Sequence, residues 1–199
     1  MTLTPTPLDG SIVRLEPLRL GHVPALAEVG LDPALWALTT VKIASEGDML
    51  GYVREALADQ AAGTAMPFVT IERSSNRVIG STRFGNYAAA HRRIEIGWTW
   101  IAAPWQRTAV NTEAKLLMLE HAFDVLGARR VELKTSSLNT RSRNAMLRIG
   151  ATEEGTMRQH MINADGSSRD SVYFSIIDGE WPDVRARLRG LLNRPRLVT

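Results

Sequence analysis

Between residues 94 and 135 the hydrophobic period of this chain changes twice, and that change limits the fold more than any other feature. Residues 94–101 alternate apolar and polar side chains at period two, as a strand does. A polar segment, 103–112, follows. Leu116, Leu119, Phe123 and Leu126 then recur at helical spacing with charged residues between them, and Gly127 stands where a helix stops. Residues 130–135 alternate again. Strand, loop, helix and strand in so short a stretch make a βαβ unit, whose strands are parallel and joined by a right-handed crossover.

The flanks add further strands and short helices. Residues 11–16 alternate as a short strand ended by Pro17. Pro24 and Pro33 break residues 21–38 into one or two short helices. Ser45 can cap a helix over 45–62, in which Met49, Tyr52, Val53, Ala56 and Leu57 recur at helical spacing. Residues 66–72 and 77–84 are strands joined through Arg73-Ser74-Ser75-Asn76, a hairpin signal. Within 94–101 the alternation puts Ile94, Ile96, Trp98 and Trp100 on one face and Glu95, Gly97 and Thr99 on the other. Gly97 marks a bulge or a close backbone approach. Later come a helix over 140–149 stopped by Gly150, two strands around Asp165-Gly166, and a helix entered through Trp181-Pro182-Asp183. The fold class is α/β or α+β, a mixed sheet with one parallel step in its middle. With 199 residues and neither repeat nor linker, one domain spanning 1–199 is expected, its termini loose at 1–10 and 194–199.

Composition excludes several chemistries. The chain has no cysteine, so a disulfide scaffold, a thiolate zinc site, an iron–sulfur cluster and a cysteine nucleophile are all ruled out. The four histidines, His22, His91, His121 and His160, lack metal-ligand spacing, and no metal is expected. His121 on the helix reads as solvated. A formal charge of +3 is too small to argue nucleic-acid binding. Trp36, Trp98, Trp100, Trp105 and Trp181 are too scattered for a base-stacking platform and read as core or interface. The opening residues lack a basic stretch followed by an apolar run, and no segment approaches a membrane span, so a soluble cytoplasmic protein is expected.

The segment 103–112 feeds a helix N-terminus. Unpaired backbone N–H groups and the positive end of the helix dipole suit a phosphate or pyrophosphate there, and Arg107 would add a charge-assisted contact. Equally, Thr108, Asn111 or Thr112 could simply cap the helix. No Walker pattern is present.

Ile94-Glu95-Ile96-Gly97-Trp98-Thr99-Trp100, followed by Trp105-Gln106-Arg107-Thr108-Ala109-Val110-Asn111-Thr112-Glu113-Ala114-Lys115, resembles the acetyl-CoA motif of the GNAT superfamily. Val13-Arg14-Leu15-Glu16-Pro17-Leu18, Val131–Thr135, Asn139-Thr140-Arg141-Ser142 and Ile149–Gly155 fit its RimJ/RimL-like branch, the ribosomal-protein-alanine N-acetyltransferase-like proteins. The resemblance covers residues 10–190 and implies a bacterial acyltransferase. It implies a mixed, mostly antiparallel sheet flanked by helices, whose central parallel pair splays apart to admit the cofactor arm. Trp98, Thr99, Trp100 and Ile101 would then face the pantetheine; Gln106, Arg107, Thr108, Ala109, Val110, Asn111 and Thr112 would hold the pyrophosphate. Asn139 matches a family Asn that contacts the cofactor arm, and Ser142 a polar position near the thiol. The family pattern places glycine where this chain has Ala109 and Asn111. Asn tolerates the left-handed region best among the larger residues, so the loop is expected to persist.

The implied reaction is transfer of acetyl from acetyl-CoA, a cosubstrate, to a primary amine, foremost a protein N-terminal α-amine, by direct attack in a ternary complex. An α-amine has a pKa of ~7.7–8.0, so a modest base acting through water suffices. Glu95 is the first candidate for that base and Glu132 the second, either being otherwise a solvated strand carboxylate. Ser142 is the candidate donor to the leaving thiolate, and Tyr173 a weaker candidate acid. Two other readings remain open: a small-amine or antibiotic acetyltransferase, and a catalytically weak acyl-CoA-binding module. Neither nucleic acid nor membrane is an expected partner, and the protein would be a monomer or homodimer.

Overall fold

The computed structural model describes residues 3–193; the expected loose tail at 194–199 lies outside them. The strands are β1 (Leu8–Asp9), β2 (Val13–Pro17), β3 (Met66–Glu72), β4 (Val78–Ala88), β5 (Arg93–Ile101), β6 (Arg130–Ser136), β7 (Thr152–Ile162) and β8 (Ser168–Ile177). The helices are α1 (Val23–Gly30), α2 (Glu46–Ala61), α3 (Val110–Glu120), α4 (Thr140–Ile149) and α5 (Trp181–Leu192). One eight-stranded sheet runs in the order β1-β2-β3-β4-β5-β6-β8-β7. The β5–β6 pair is parallel and every other pair is antiparallel, as the βαβ reading requires.

Local signals set the helix ends. Ser45 Oγ accepts the Asp48 N–H at 3.1 Å and donates to Asp48 Oδ2 at 2.8 Å, which fixes the start of α2. The Leu116–Leu126 stripe is buried throughout, yet the helix changes its winding: after α3, residues 121–125 form a π-helical turn, and Leu126 N–H bonds to the His121 carbonyl at 2.9 Å. Gly127 (φ 58°) and Gly150 (φ 100°) take the left-handed conformation after these helices. His121, expected to be solvated, is buried against Phe84, and burial lowers its pKa.

Two cores lie on opposite faces of the sheet. One joins Ile94, Ile96, Val131, Leu133, Val172 and Phe174 to α3 and α5. The other packs α1 and α2 against Val69, Ile71 and Trp100. The first ten residues are not a loose arm where they are described. Leu3 and Leu8 are buried in the first core, and β1 pairs with β2. The adjoining turn is held by Glu113 of α3. Its carboxylate accepts the N–H groups of Ser11 (3.0 Å), Ile12 (2.6 Å) and Val13 (2.7 Å) and the Ser11 hydroxyl (2.7 Å). A buried carboxylate satisfied this way clamps the N-terminal strand to the central helix.

Candidate active site

The start of α3 is polar and only partly capped. A turn at Ala103–Trp105 leads into the loop, and Ala109, at the N-cap position, offers no side-chain acceptor. Thr108 Oγ1 donates to the Trp105 carbonyl at 2.7 Å and accepts the Val110 N–H at 3.3 Å. The N–H groups of Arg107, Ala109, Asn111 and Thr112 find no acceptor among the described residues. Unpaired donors at the positive end of a helix dipole attract an anion. Of the three expected caps, Thr108 holds the Val110 N–H, whereas Asn111 makes no such bond among the described residues and Thr112 Oγ1 accepts from Arg148 at 2.9 Å. Nor do Ala109 and Asn111 need glycine's conformational freedom, since Ala109 has φ −72° and Asn111 lies inside α3. The left-handed residue is Arg107 (φ 61°), exposed and without an ion pair among the described residues.

Not every expected contact residue points toward the loop. Val110 and Thr112 are buried, so they offer the site backbone rather than side chain. Gln106 is a brace, with Nε2 donating to the Ile101 carbonyl and Oε1 accepting from Arg141, both at 2.7 Å.

The end of β5 departs from simple alternation. Arg83 pairs with Gly97 and Ser81 with Trp100, so Trp98 and Thr99 together oppose Thr82. This bulge lies at Trp98 (φ 49°), one residue beyond the expected Gly97. It separates the side chains predicted to share a face: Ile94 and Ile96 enter the first core, Trp100 the second, and Trp98 remains 37% exposed. The Trp98 ring lies 4.8 Å from the guanidinium of Arg83, whose Nη1 pairs with Asp59 at 3.1 Å. Gly85 is required here, because a Cβ on it would stand 2.5 Å from that ring. Parallel pairing between β5 and β6 runs only from Arg93/Arg130 to Glu95/Glu132, and beyond it the strands part. Both run on toward helix starts, β5 to α3 and β6 to α4. The wedge therefore opens beside the unpaired N–H groups of α3.

Asn139 and Ser142 meet at the start of α4. Asn139 Oδ1 accepts the Ser142 N–H at 3.0 Å, so Asn139 caps its own helix, and the Ser142 hydroxyl has no partner among the described residues. A cavity of about 280 Å³ separates Leu138–Arg141 from the segment 34–39.

Glu95 is 3% exposed, not solvated. Its Oε2 accepts from Asn86 Nδ2 at 2.8 Å and lies 3.5 Å from Lys134 Nζ. Oε1 faces Gly97, where a Cβ would stand 2.8 Å away. Glu132 is also buried and is held by Arg93 Nη1 (2.7 Å) and Arg130 Nε (2.8 Å), which makes it a structural anion. Tyr173 lies under Lys134, and its hydroxyl is 3.4 Å from His160 Nε2. No group of residues among those described could hold a metal ion.

Lys115 is the residue that pattern reading passed over. It lies four residues before Leu119, inside the apolar stripe, and that position was the available signal. It is 6% exposed, and its Nζ bonds to Thr99 Oγ1 at 2.8 Å with no carboxylate paired to it among the described residues. Burial pushes the ammonium from 10.5 down to about 7.

Residues 13–152 match the family described as an acetyltransferase (GNAT) domain. The chain is 32% identical over 102 residues to the Bacillus subtilis protein named "Putative ribosomal N-acetyltransferase YdaF", covering 51% of this chain and 55% of that protein. It spans just over half the length of the curated relatives it matches. A GCN5-related N-acetyltransferase from Brucella melitensis superposes with a TM-score of 0.88 at 29% identity, covering 96% of this chain and 87% of that one. RimJ of Mycobacterium smegmatis, solved in complex with CoA-disulfide, shares the fold with a TM-score of 0.78 at 24% identity, covering 94% and 93%.

Proposed function

The chain belongs to the GNAT acetyltransferase family, and from that premise we propose that it transfers acetyl from acetyl-CoA to a protein N-terminal α-amine by direct attack. The observation that carries this reading is the set of unpaired N–H groups at the start of α3, beside the wedge between β5 and β6. A pyrophosphate fits that set, and the exposed Arg107 adds charge. Backbone groups of residues 98–101, freed from pairing with β6, suit an amide-bearing arm. Acetyl-CoA, when bound, supplies the activated thioester.

The chain's own residues then have three tasks. Asn139, its carbonyl committed to the helix cap, keeps its amide N–H groups for the cofactor arm. Ser142, with its hydroxyl unpartnered among the described residues, donates a hydrogen bond to the departing thiolate, which takes its proton from water. Glu95 accepts the amine's proton through water at Oε1, since Asn86 and Lys134 occupy Oε2. An α-amine with a pKa of ~7.7–8.0 needs no stronger base. The name of the Bacillus subtilis relative supports a ribosomal protein as the acceptor. The helical backbone at Ala109 and Asn111 supports a loop that keeps its conformation without glycine.

Calorimetry and thermal shift with CoA, then an acceptor screen reading CoA-thiol release, test the proposal. Binding plus release with N-terminal peptides is expected. No binding at millimolar CoA, or release with small amines alone, overturns it.

A further inference from the structure

We propose that the sheet face around Arg169 binds a carboxylate carried by the acceptor, so that the preferred substrates are primary amines with an acidic group close to the amine. The inference rests on the transferase reading above, and it names the chemistry of the acceptor.

Strands β6 and β8 are two-faced. Val131, Leu133, Val172, Phe174 and Ile176 enter the core under α3 and α5. Their neighbours on the opposite face are Glu132, Lys134 and Ser136 on β6, and Ser171, Tyr173 and Ser175 on β8. The second core, closed by α1 and α2, contains no residue from β6, β7 or β8. This half of the face is therefore polar and lies outside the core that α1 and α2 close, and Glu95 stands on it where β5 leaves β6.

The polar groups there are only partly satisfied. Arg169 Nε, Ser171 Oγ and His160 Nδ1 are all buried without a hydrogen-bond partner among the described residues, and Ser171 is 0% exposed. Buried polar atoms are rarely left so, and an orphan destabilises the fold unless something binds it. Arg169 is the exception among its kind. Of the other buried or half-buried arginines described, Arg83 pairs with Asp59, Arg93 and Arg130 with Glu132, Arg143 with Glu153, Arg14 with Glu16 and Arg185 with Asp124. Arg169 pairs with no carboxylate and makes no hydrogen bond among the described residues.

The charges around it also favour an anion. Burial lowers the Arg169 pKa while Glu95 and then Tyr173 raise it, so Glu95 is close enough for its charge to act on the guanidinium. Glu95 is already partnered by Lys134, and Glu132 by Arg93 and Arg130. Lys134 and Arg169 against Glu95 leave one positive charge in excess. A planar guanidinium binds a carboxylate bidentately, and Ser171 and His160 add donors beside it. With the amine delivered to Glu95, a nearby acidic group would meet Arg169.

The test compares peptides with Asp or Glu at their first or second position against the Asn or Gln peptides, with free aspartate and glutamate as the small-molecule arm. CoA-thiol release and calorimetric binding of the peptides alone are both measured on the wild type, Arg169→Gln and Arg169→Lys. The wild type is expected to favour the acidic peptides at least tenfold in kcat/KM and in binding. Arg169→Gln should abolish that preference while leaving the amide peptides near their wild-type values, and Arg169→Lys should restore part of it. Saturable turnover of the free amino acids above the peptides would identify the small molecule as the source of the carboxylate. Equal binding of acidic and amide peptides to the wild type overturns the proposal, as does an equal loss for both in Arg169→Gln. If the acidic peptides bind preferentially but no acceptor releases thiol, the carboxylate site stands and the transferase reading falls.

Discussion

Replacing Lys115 with methionine should stabilise the protein by an amount that depends on pH. The ammonium is buried with one hydrogen bond and no counter-ion, and its pKa falls from 10.5 to about 7. Below pH 7 both folded and unfolded chains carry the proton, and the folded state bears the whole penalty of burying it. Between about 7 and 10.5 the unfolded chain binds more protons than the folded one, so stability rises with pH. Above 10.5 both forms are neutral and the penalty is gone. At about 1.4 kcal/mol per pH unit, the span between the two values amounts to about 5 kcal/mol. Methionine keeps the volume and removes the charge, while the lost bond to Thr99 returns ~1 kcal/mol. A net gain of about 3–4 kcal/mol is therefore expected at pH 6–7. Urea unfolding of both proteins at pH 6, 7.5 and 9 measures it, and the gain should shrink by ~1.4 kcal/mol per pH unit above 7. A variant less stable than the wild type by the same amount at every pH would refute the reasoning, because it would mean that the ammonium is compensated in the fold.

Arg107→Ala should weaken CoA about tenfold, the scale of one charge-assisted contact, and weaken a pantetheine-only analogue much less; equal weakening of both in calorimetry would assign Arg107 a structural role. Ser142→Ala should lower kcat by ~10–10³ with CoA affinity unchanged, whereas an unchanged kcat with only a lower Tm would end its catalytic role. Glu113→Gln should cost about 2–4 kcal/mol in urea unfolding, because the amide replaces one of two oxygens that gather three backbone N–H groups; an unchanged midpoint would show that the N-terminal strand is held by other contacts.

The sequence alone determined most of the elements and their order, though not β1, which it read as part of a loose terminus. Period-two runs, helical stripes, the Ser45 cap and the stops at Gly127 and Gly150 are local signals, and local physics carries them into the structure. The parallel step followed too, because a strand–helix–strand unit admits one handed connection. The polar loop entering α3 was legible as an anion site or a capped helix. The structure bears on that choice: Thr108 holds one helix N–H, and several others stay unpaired among the described residues.

What the sequence could not decide depends on neighbours distant along the chain. The bulge at Trp98 shifts the rest of β5 by one residue, which puts Trp100 in the second core and not on the face that alternation had assigned it with Ile94 and Ile96. The role of Glu113 appears only once the fold brings residues 11–13 against its carboxylate. Glu95 looked like a solvated strand residue until Asn86 and Lys134 closed around it. Arg169 could not be told from any other arginine, because its distinction is the lack of a partner that its neighbours have. Periodicity encodes which residues leave water. Whether a charge that leaves water finds a counter-ion is settled only when the strands and helices come together, and that decided the chemistry proposed for this site.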